Sequence, residues 1–145
     1  MCIRDSNKIT FVEAESSKVG ERLIPPSLWS SMTNASRIEI TAALEARSNF
    51  LCRAYSNLTQ DKMALNDLLS KLRPYHSGER IDQWHAQVQM NDWQTLAAEL
   101  IKDHYDPRYN KSAIVKNNPL FRVKLPDLED NTLALTADKL HAQFS

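Results

Sequence analysis

Glycine is scarce in this chain: Gly20 and Gly78 are the only two among 145 residues. Nucleotide-binding loops use glycine to bring backbone N–H groups against phosphate. Neither G-x-x-x-x-G-K-[ST] nor G-x-G-x-x-G can be written with these two, so a self-contained P-loop or dinucleotide site is excluded from these residues. Cysteine is equally thin. Cys2 and Cys52 alone exclude a disulfide framework and a Cys-rich zinc site. Cys52 follows Leu51 in a helical pattern and reads as a small, half-buried residue rather than a nucleophile. The four histidines, His76, His85, His104 and His141, have no i, i+4 pairing with each other or with a cysteine. The expectation is no metal site, with these rings at the surface or at helix ends. No apolar run approaches the roughly 18 residues that cross a bilayer, and residues 1–7 lack the apolar core of a signal peptide. A cytoplasmic chain with no membrane partner is expected. Charge of one sign is missing too: 18 lysines and arginines balance 18 acids, so a nucleic-acid partner has to be met by a local patch.

What is present suffices for one ordinary domain, since 42% of residues are hydrophobic and 25% charged. Residues 1–7 read as a leader unrelated to the rest of the chain. The run K-I-T-F-V-E-A then places Ile9, Phe11 and Val12 in a short buried strand, residues 9–13, that delivers Glu13 and Glu15 to its carboxyl end. A loop through Ser16, Lys18 and Gly20 comes next. Pro25 and Pro26 open a short helix with Leu28, Trp29 and Met32 on its apolar face. Residues 37–40 alternate as a second strand, parallel and adjacent to the first, with Thr41 as the cap of the next helix. The spacing predicts that helix over residues 43–58 and another over 60–72 capped by Thr59. A third, carrying Ile81, Trp84 and Val88, ends near Asn91. A fourth begins there, with Asn91 and Gln94 as a capping box and a stripe of Trp93, Leu96, Ala97, Leu100, Ile101 and His104. Pro107 ends it, and a further helical turn can follow. Residues 121–125 alternate as a strand, and residues 132–144 form a terminal helix. Strands interleaved with helices point to an α/β layer structure.

Three groups of side chains carry chemistry in this pattern. Glu13 and Glu15, paired at a strand end, stand where α/β proteins place metal and phosphate chemistry; solvated loop acids are the plainer alternative. Arg108, Lys111, Lys116, Arg122 and Lys124 stand between Pro107 and Pro126 without an acid amid these cations. Tyr105, Tyr109 and Phe121 are interleaved with them, a composition that holds phosphate and stacks on bases, or simply forms a solvated face. Trp29, Trp84 and Trp93 lie on apolar stripes and belong in the core.

Three segments, FVEAESSKVGERLIPPSLWSSM, IEITAALEARSNFLCRAY and LIKDHYDPRY, occur here in this order. Together they resemble the carboxyl-terminal part of bacterial tRNA 2-selenouridine synthase, from about residue 9 to 109 and more loosely to the end. The combined E-A-E-S-S-K-V-G stretch, the L-E-x-R-x-x-x-L helix and the H-Y-D-P-x-Y motif carry the likeness. It implies an α/β fold, a partial P-loop NTPase-like three-layer domain with few parallel strands and a large helical subdomain, occupying residues 8–145. The family pattern adds an amino-terminal rhodanese-like domain with an essential cysteine and a P-loop, neither of which these residues contain. The implied activity is geranylation of wobble 2-thiouridine in tRNA from geranyl diphosphate, followed by replacement of the S-geranyl sulfur with selenium from selenophosphate. The fragment itself carries no cofactor on this reading, and magnesium is the implied companion of the diphosphate. Its partners are tRNA and the missing rhodanese and P-loop segments.

Carried across the matching positions, Glu13 and Glu15 become the catalytic acids at a Walker-B-like strand end, with Ser16 and Lys18 as substrate-binding neighbours. Arg47 becomes a phosphate neutraliser or else a surface helix residue. Arg108, Tyr109 and Lys111 become part of the tRNA surface, while the H-Y-D-P-x-Y motif has no derivable role beyond ending a helix. A non-enzymatic helical interaction module and a truncated P-loop kinase-like enzyme remain the competing readings.

Overall fold

Pro25 and Pro26 supply the fixed φ that opens a helix, and the computed structural model of the protein starts α1 there, at Pro26–Asn34. The structure describes residues 10–13, 16–112 and 119–144, leaving aside the side chains of 110–112. The expected leader, residues 1–7, lies outside them. Ahead of α1, β1 (Lys18–Val19) and β2 (Arg22–Leu23) pair antiparallel, Lys18 opposite Leu23 and Val19 opposite Arg22. Gly20 adopts φ +60° in the turn, a conformation glycine takes without the steric penalty of a Cβ. The loop expected here is therefore a hairpin. The strand expected at 9–13 is not seen: residues 10–13 have no regular structure, Phe11 and Val12 are exposed, and Ile9 lies outside the described residues. So short an apolar run does not by itself fix the secondary structure.

Strand β3 (Ile38–Ala42) pairs instead with β4 (Phe121–Leu125). The Leu120 N–H donates to the Arg37 carbonyl at 2.8 Å and Thr41 Oγ1 to the Val123 carbonyl at 3.5 Å. Residue numbers rise together along both strands, so the pair is parallel. The long helical stretch between them supplies the connection that parallel strands require. The terminal helix α8 (Asp130–Phe144) sets Phe144 edge-on to Phe121. Thr41, expected as a helix cap, is part of β3, and α2 (Leu44–Ala54) begins at Ala43 with no side-chain cap.

Helices α3 (Ser56–Gln60), α4 (Lys62–Ser70), α5 (Gly78–Met90) and α6 (Trp93–Glu99) come next. The helix expected over 43–58 is thus two, and two further caps differ from expectation for local reasons. Thr59 donates its hydroxyl to the Ser56 carbonyl, so Asp61 caps α4 by accepting from Ala64 N–H at 2.9 Å. Asn91 takes φ 58° and terminates α5 in the left-handed region, so Asp92 caps α6. Gln94, released from the expected capping box, donates to Ser48 Oγ of α2 at 2.8 Å. Ser48 is 1% exposed, and its small side chain lets α2 and α6 approach closely.

The core of this helical part is built on α5. Ile81, Trp84 and Val88, spaced three and four apart, are fully buried and pack with Leu69 of α4 and Leu96 of α6. Leu65, Leu72, Trp93 and Leu100 close around them. Trp29, by contrast, is only half-buried, and Leu28 beside it is exposed; α1 buries no residue fully. After α6 the backbone widens into a π-turn, Leu100–Tyr105, and continues directly as α7 (Asp106–Ser112). Pro107 was expected to end the helix. Its missing N–H and its ring are instead met by the wider turn before it, a single π-turn between two α-helical stretches.

The chain divides into two compact units. One gathers the hairpin, α1, β3, β4 and α8; the other gathers α2 to the π-turn, with residues 126–128.

Candidate functional site

In the first unit, the hairpin and the segment before it shape an open groove of about 410 Å³ lined by Val12, Glu13, Ser16, Lys18, Val19, Ile24 and Met32. Three of the residues singled out by sequence, Glu13, Ser16 and Lys18, are therefore brought together. The local cause is short-range: Ser16 Oγ accepts from the Lys18 N–H at 3.1 Å, turning the chain into the hairpin, and Gly20 returns it toward Ile24. The Ile24 N–H closes the ladder on the Ser17 carbonyl at 2.8 Å. The groove combines a carboxylate, a hydroxyl and an ammonium with the apolar side chains of Val12, Val19, Ile24 and Met32. A cation and a hydroxyl suit an anionic head, and the aliphatic lining suits a hydrocarbon chain. Glu15 lies outside the described residues.

Arg47 is placed in the second unit. Its Nη1 and Nη2 donate to Asp106 Oδ2 and Oδ1 at 2.9 and 2.6 Å, the fork-on-fork geometry that only arginine offers. Hydrogen bonding to Asp106 holds the guanidinium's pKa above its ordinary value. A substrate phosphate at Arg47 would have to displace that carboxylate. The pairing also supplies what spacing could not, a role for Asp106 in the H-Y-D-P-x-Y motif: the motif and the L-E-x-R-x-x-x-L helix, 59 residues apart, are two halves of one contact.

The basic segment is less uniform in space than in sequence. Arg122 Nε meets Glu39 Oε2 of β3 at 2.8 Å, so an acid distant in sequence neutralises it. Lys124 and Tyr109 are exposed. Arg108 lies over the Tyr75 ring, 4.3 Å from its centroid. Lys116 and the Lys111 side chain lie outside the described residues.

The histidines are half-buried or exposed, and His104 and His141 lie in last helical turns as expected, but their spacing does not show the contacts they make. His76 Nε2 and His104 Nδ1 are 2.9 Å apart, with His76 edge-on to Trp84. His85 is held between Asn66 Oδ1 at 2.6 Å and Ser70 Oγ at 3.3 Å. The pairing of positions 76 and 104 depends on how α5 and the π-turn pack, which no local spacing encodes. No group of three or more potential metal ligands occurs among the described residues. Burial, then the nearby charge of Arg108 and the neighbouring His76, pull the His104 pKa below its ordinary 6.5. The folded state thus disfavours the imidazolium, and its stability is intact above pH 6.5 and falls as the pH drops through the window below it. The melting temperature of the wild type is expected to fall between pH 7.5 and pH 5, and His104→Gln to show a shallower fall over the same range. Parallel pH profiles would remove His104 from the acid sensitivity.

Burial also pushes the Cys52 thiol up, in keeping with its reading as a packing residue. Its sulfur lies 3.7 Å from Gln94 Oε1.

Residues 2–75, half of the chain, match the family model of the tRNA 2-selenouridine synthase AAA domain. The chain belongs to the tRNA 2-selenouridine synthase family. The match takes in the groove, α1, β3 and α2, and it ends at Tyr75, before α5. No curated protein and no solved structure matches the chain significantly. The family is one of tRNA-modifying synthases, and no helix among the described residues is long and apolar enough to cross a membrane.

Proposed function

We propose that this chain serves a tRNA 2-selenouridine synthase that geranylates wobble 2-thiouridine and then replaces the S-geranyl sulfur with selenium from selenophosphate. In this reading it acts in the cytoplasm, as the later part of a P-loop-like domain completed by rhodanese and P-loop segments. The observation that carries the reading is the groove in which Glu13, Ser16 and Lys18 meet an aliphatic lining. Geranyl diphosphate is amphiphilic in the same sense: a diphosphate for Lys18 and Ser16, and a branched hydrocarbon for Val12, Val19, Ile24 and Met32.

In geranyl transfer the thiouridine sulfur attacks the first carbon of the prenyl chain and diphosphate departs. Lys18 stabilises charge building on that leaving group, an interaction strongest in the transition state. Magnesium is commonly held by one or two carboxylates together with substrate phosphates, and Glu13 fits as such a carboxylate, with Glu15 its sequence neighbour. When bound, the ion would supply further charge neutralisation. On the tRNA side, Arg108, Tyr109 and Lys111 are the contacts the reading assigns. Arg47 enters only through exchange of Asp106 for a phosphate.

The test is Glu13→Gln in a full-length enzyme of the family carrying this segment. The expected result is a geranyl-transfer rate lowered by about 100-fold or more, with tRNA affinity within a factor of about two. The 145-residue chain alone, lacking a phosphate loop, is expected to turn over neither geranyl diphosphate nor selenophosphate. An unimpaired glutamine variant would remove Glu13 from the chemistry, and turnover by the isolated chain would show that another site does the work.

A further inference from the structure

The H-Y-D-P-R-Y motif divides its side chains between two roles. Asp106 is taken up by Arg47, and Asp103, just before the motif, by Arg80 of α5, so two carboxylates near the π-turn are neutralised internally. Arg108 makes no ion pair among the described residues. Its guanidinium rests 4.3 Å from the centroid of Tyr75. His104 stands 5.9 Å from the Tyr75 ring and, edge-on, 5.9 Å from that of Tyr105, and it is paired with His76. Tyr75 and Tyr105 are each 58% exposed. An uncompensated guanidinium on one exposed ring, with a second exposed ring on the other side of His104, favours a partner that offers both negative charge and flat, wettable faces. An unpaired nucleotide has both, whereas a duplex hides its base faces.

We infer that Tyr75, His104, Tyr105 and Arg108 form a contact for an unpaired RNA nucleotide, with the base stacked on Tyr105 and the adjacent phosphate bound by Arg108. Tyr75 is a positioning residue: it holds the guanidinium plane, so that the N–H edges remain available to phosphate. The contact deepens the tRNA-modifying reading and rests on it.

The experiment measures binding of the 145-residue chain to a fluorescently labelled RNA hairpin with an unpaired loop, against a blunt RNA duplex and an acidic peptide, over a range of salt. The hairpin is expected to bind more tightly than either competitor. Tyr105→Ala is expected to lose about five- to 100-fold in affinity with an unchanged salt slope, and Tyr105→Phe to keep most of the affinity. Arg108→Ala is expected to flatten the log–log salt slope by about 0.7, one single-strand phosphate contact. Because Arg108 and Tyr105 are both exposed, these variants keep the fold, which circular dichroism verifies. Hairpin binding that is indifferent to Tyr105→Ala and Arg108→Ala overturns this contact and leaves the tRNA reading standing. Failure of the wild type to bind any RNA overturns this contact, whereas the tRNA-modifying reading falls only with the full-length enzyme. Equal binding of the duplex overturns base stacking, and preference for the acidic peptide makes the patch a protein-docking surface instead.

Discussion

Truncating Trp84 to alanine is expected to destabilise the helical unit by about 3–5 kcal/mol, the range for removing a large aromatic side chain from a packed interior. The indole is fully buried among Ile81, Val88, Leu69 and Leu96, so most of the loss is burial and the cavity left behind. A second component is polar. Trp84 Nε1 donates to Glu99 Oε2 at 3.1 Å, beside Gln87 Nε2 at 2.9 Å and Arg80 Nη1 at 3.3 Å. The carboxylate then keeps two of three donors, which limits the polar part of the loss. Trp84→Phe retains most of the volume but not the donor and is expected to cost about half as much. Urea unfolding followed by circular dichroism separates the two variants, and the alanine variant is expected to melt at least about 10 °C lower. A loss below about 1 kcal/mol for Trp84→Ala would mean that this helix does not organise the core.

The second large effect is expected from the bidentate pair of Arg47 and Asp106. The side chains are 35% and 41% exposed, so solvent screening discounts the attraction well below that of a buried pair. The two hydrogen bonds and the fixed fork geometry still raise it above an ordinary surface contact. Each single alanine substitution is expected to cost about 1–2 kcal/mol, and a double-mutant cycle to return a coupling of about 1 kcal/mol. Arg47→Lys keeps the charge and loses the fork, so it should recover little of that coupling. A coupling near zero would show that the two motifs are neighbours without stabilising each other. If instead Arg47→Lys restored full stability, charge alone would suffice.

Several elements were legible in the sequence because their cause is local. Ile81, Trp84 and Val88 recur at helical spacing and form the buried face of α5. Pro25 and Pro26 open α1, residues 121–125 alternate and form β4, and the terminal helix was placed to within two residues of its start. The family, too, was legible, since motif order and separation survive without the third dimension. Caps were less so. Thr59, Asn91 and Thr41 all have side chains able to cap, and the competition among adjacent polar residues is settled by backbone angles that composition does not fix.

Composition and local spacing suffice for the scarcity of glycine that excludes a phosphate loop and for the helical stripe at the centre of the core, while the resemblance of the E-A-E-S-S-K-V-G segment to the family pattern singles out Glu13, Ser16 and Lys18. Folding alone settles which distant residues meet: β3 with β4 rather than with residues 10–13, Arg122 with Glu39, His76 with His104, and Arg47 with Asp106. The physical reason is the range of the interactions. Helical periodicity and turn chemistry act over three or four residues and leave a trace in one window of sequence, whereas this parallel strand pair and this bidentate ion pair join positions 82 and 59 residues apart. Such a contact forms only when packing of the intervening helices brings its two halves into register.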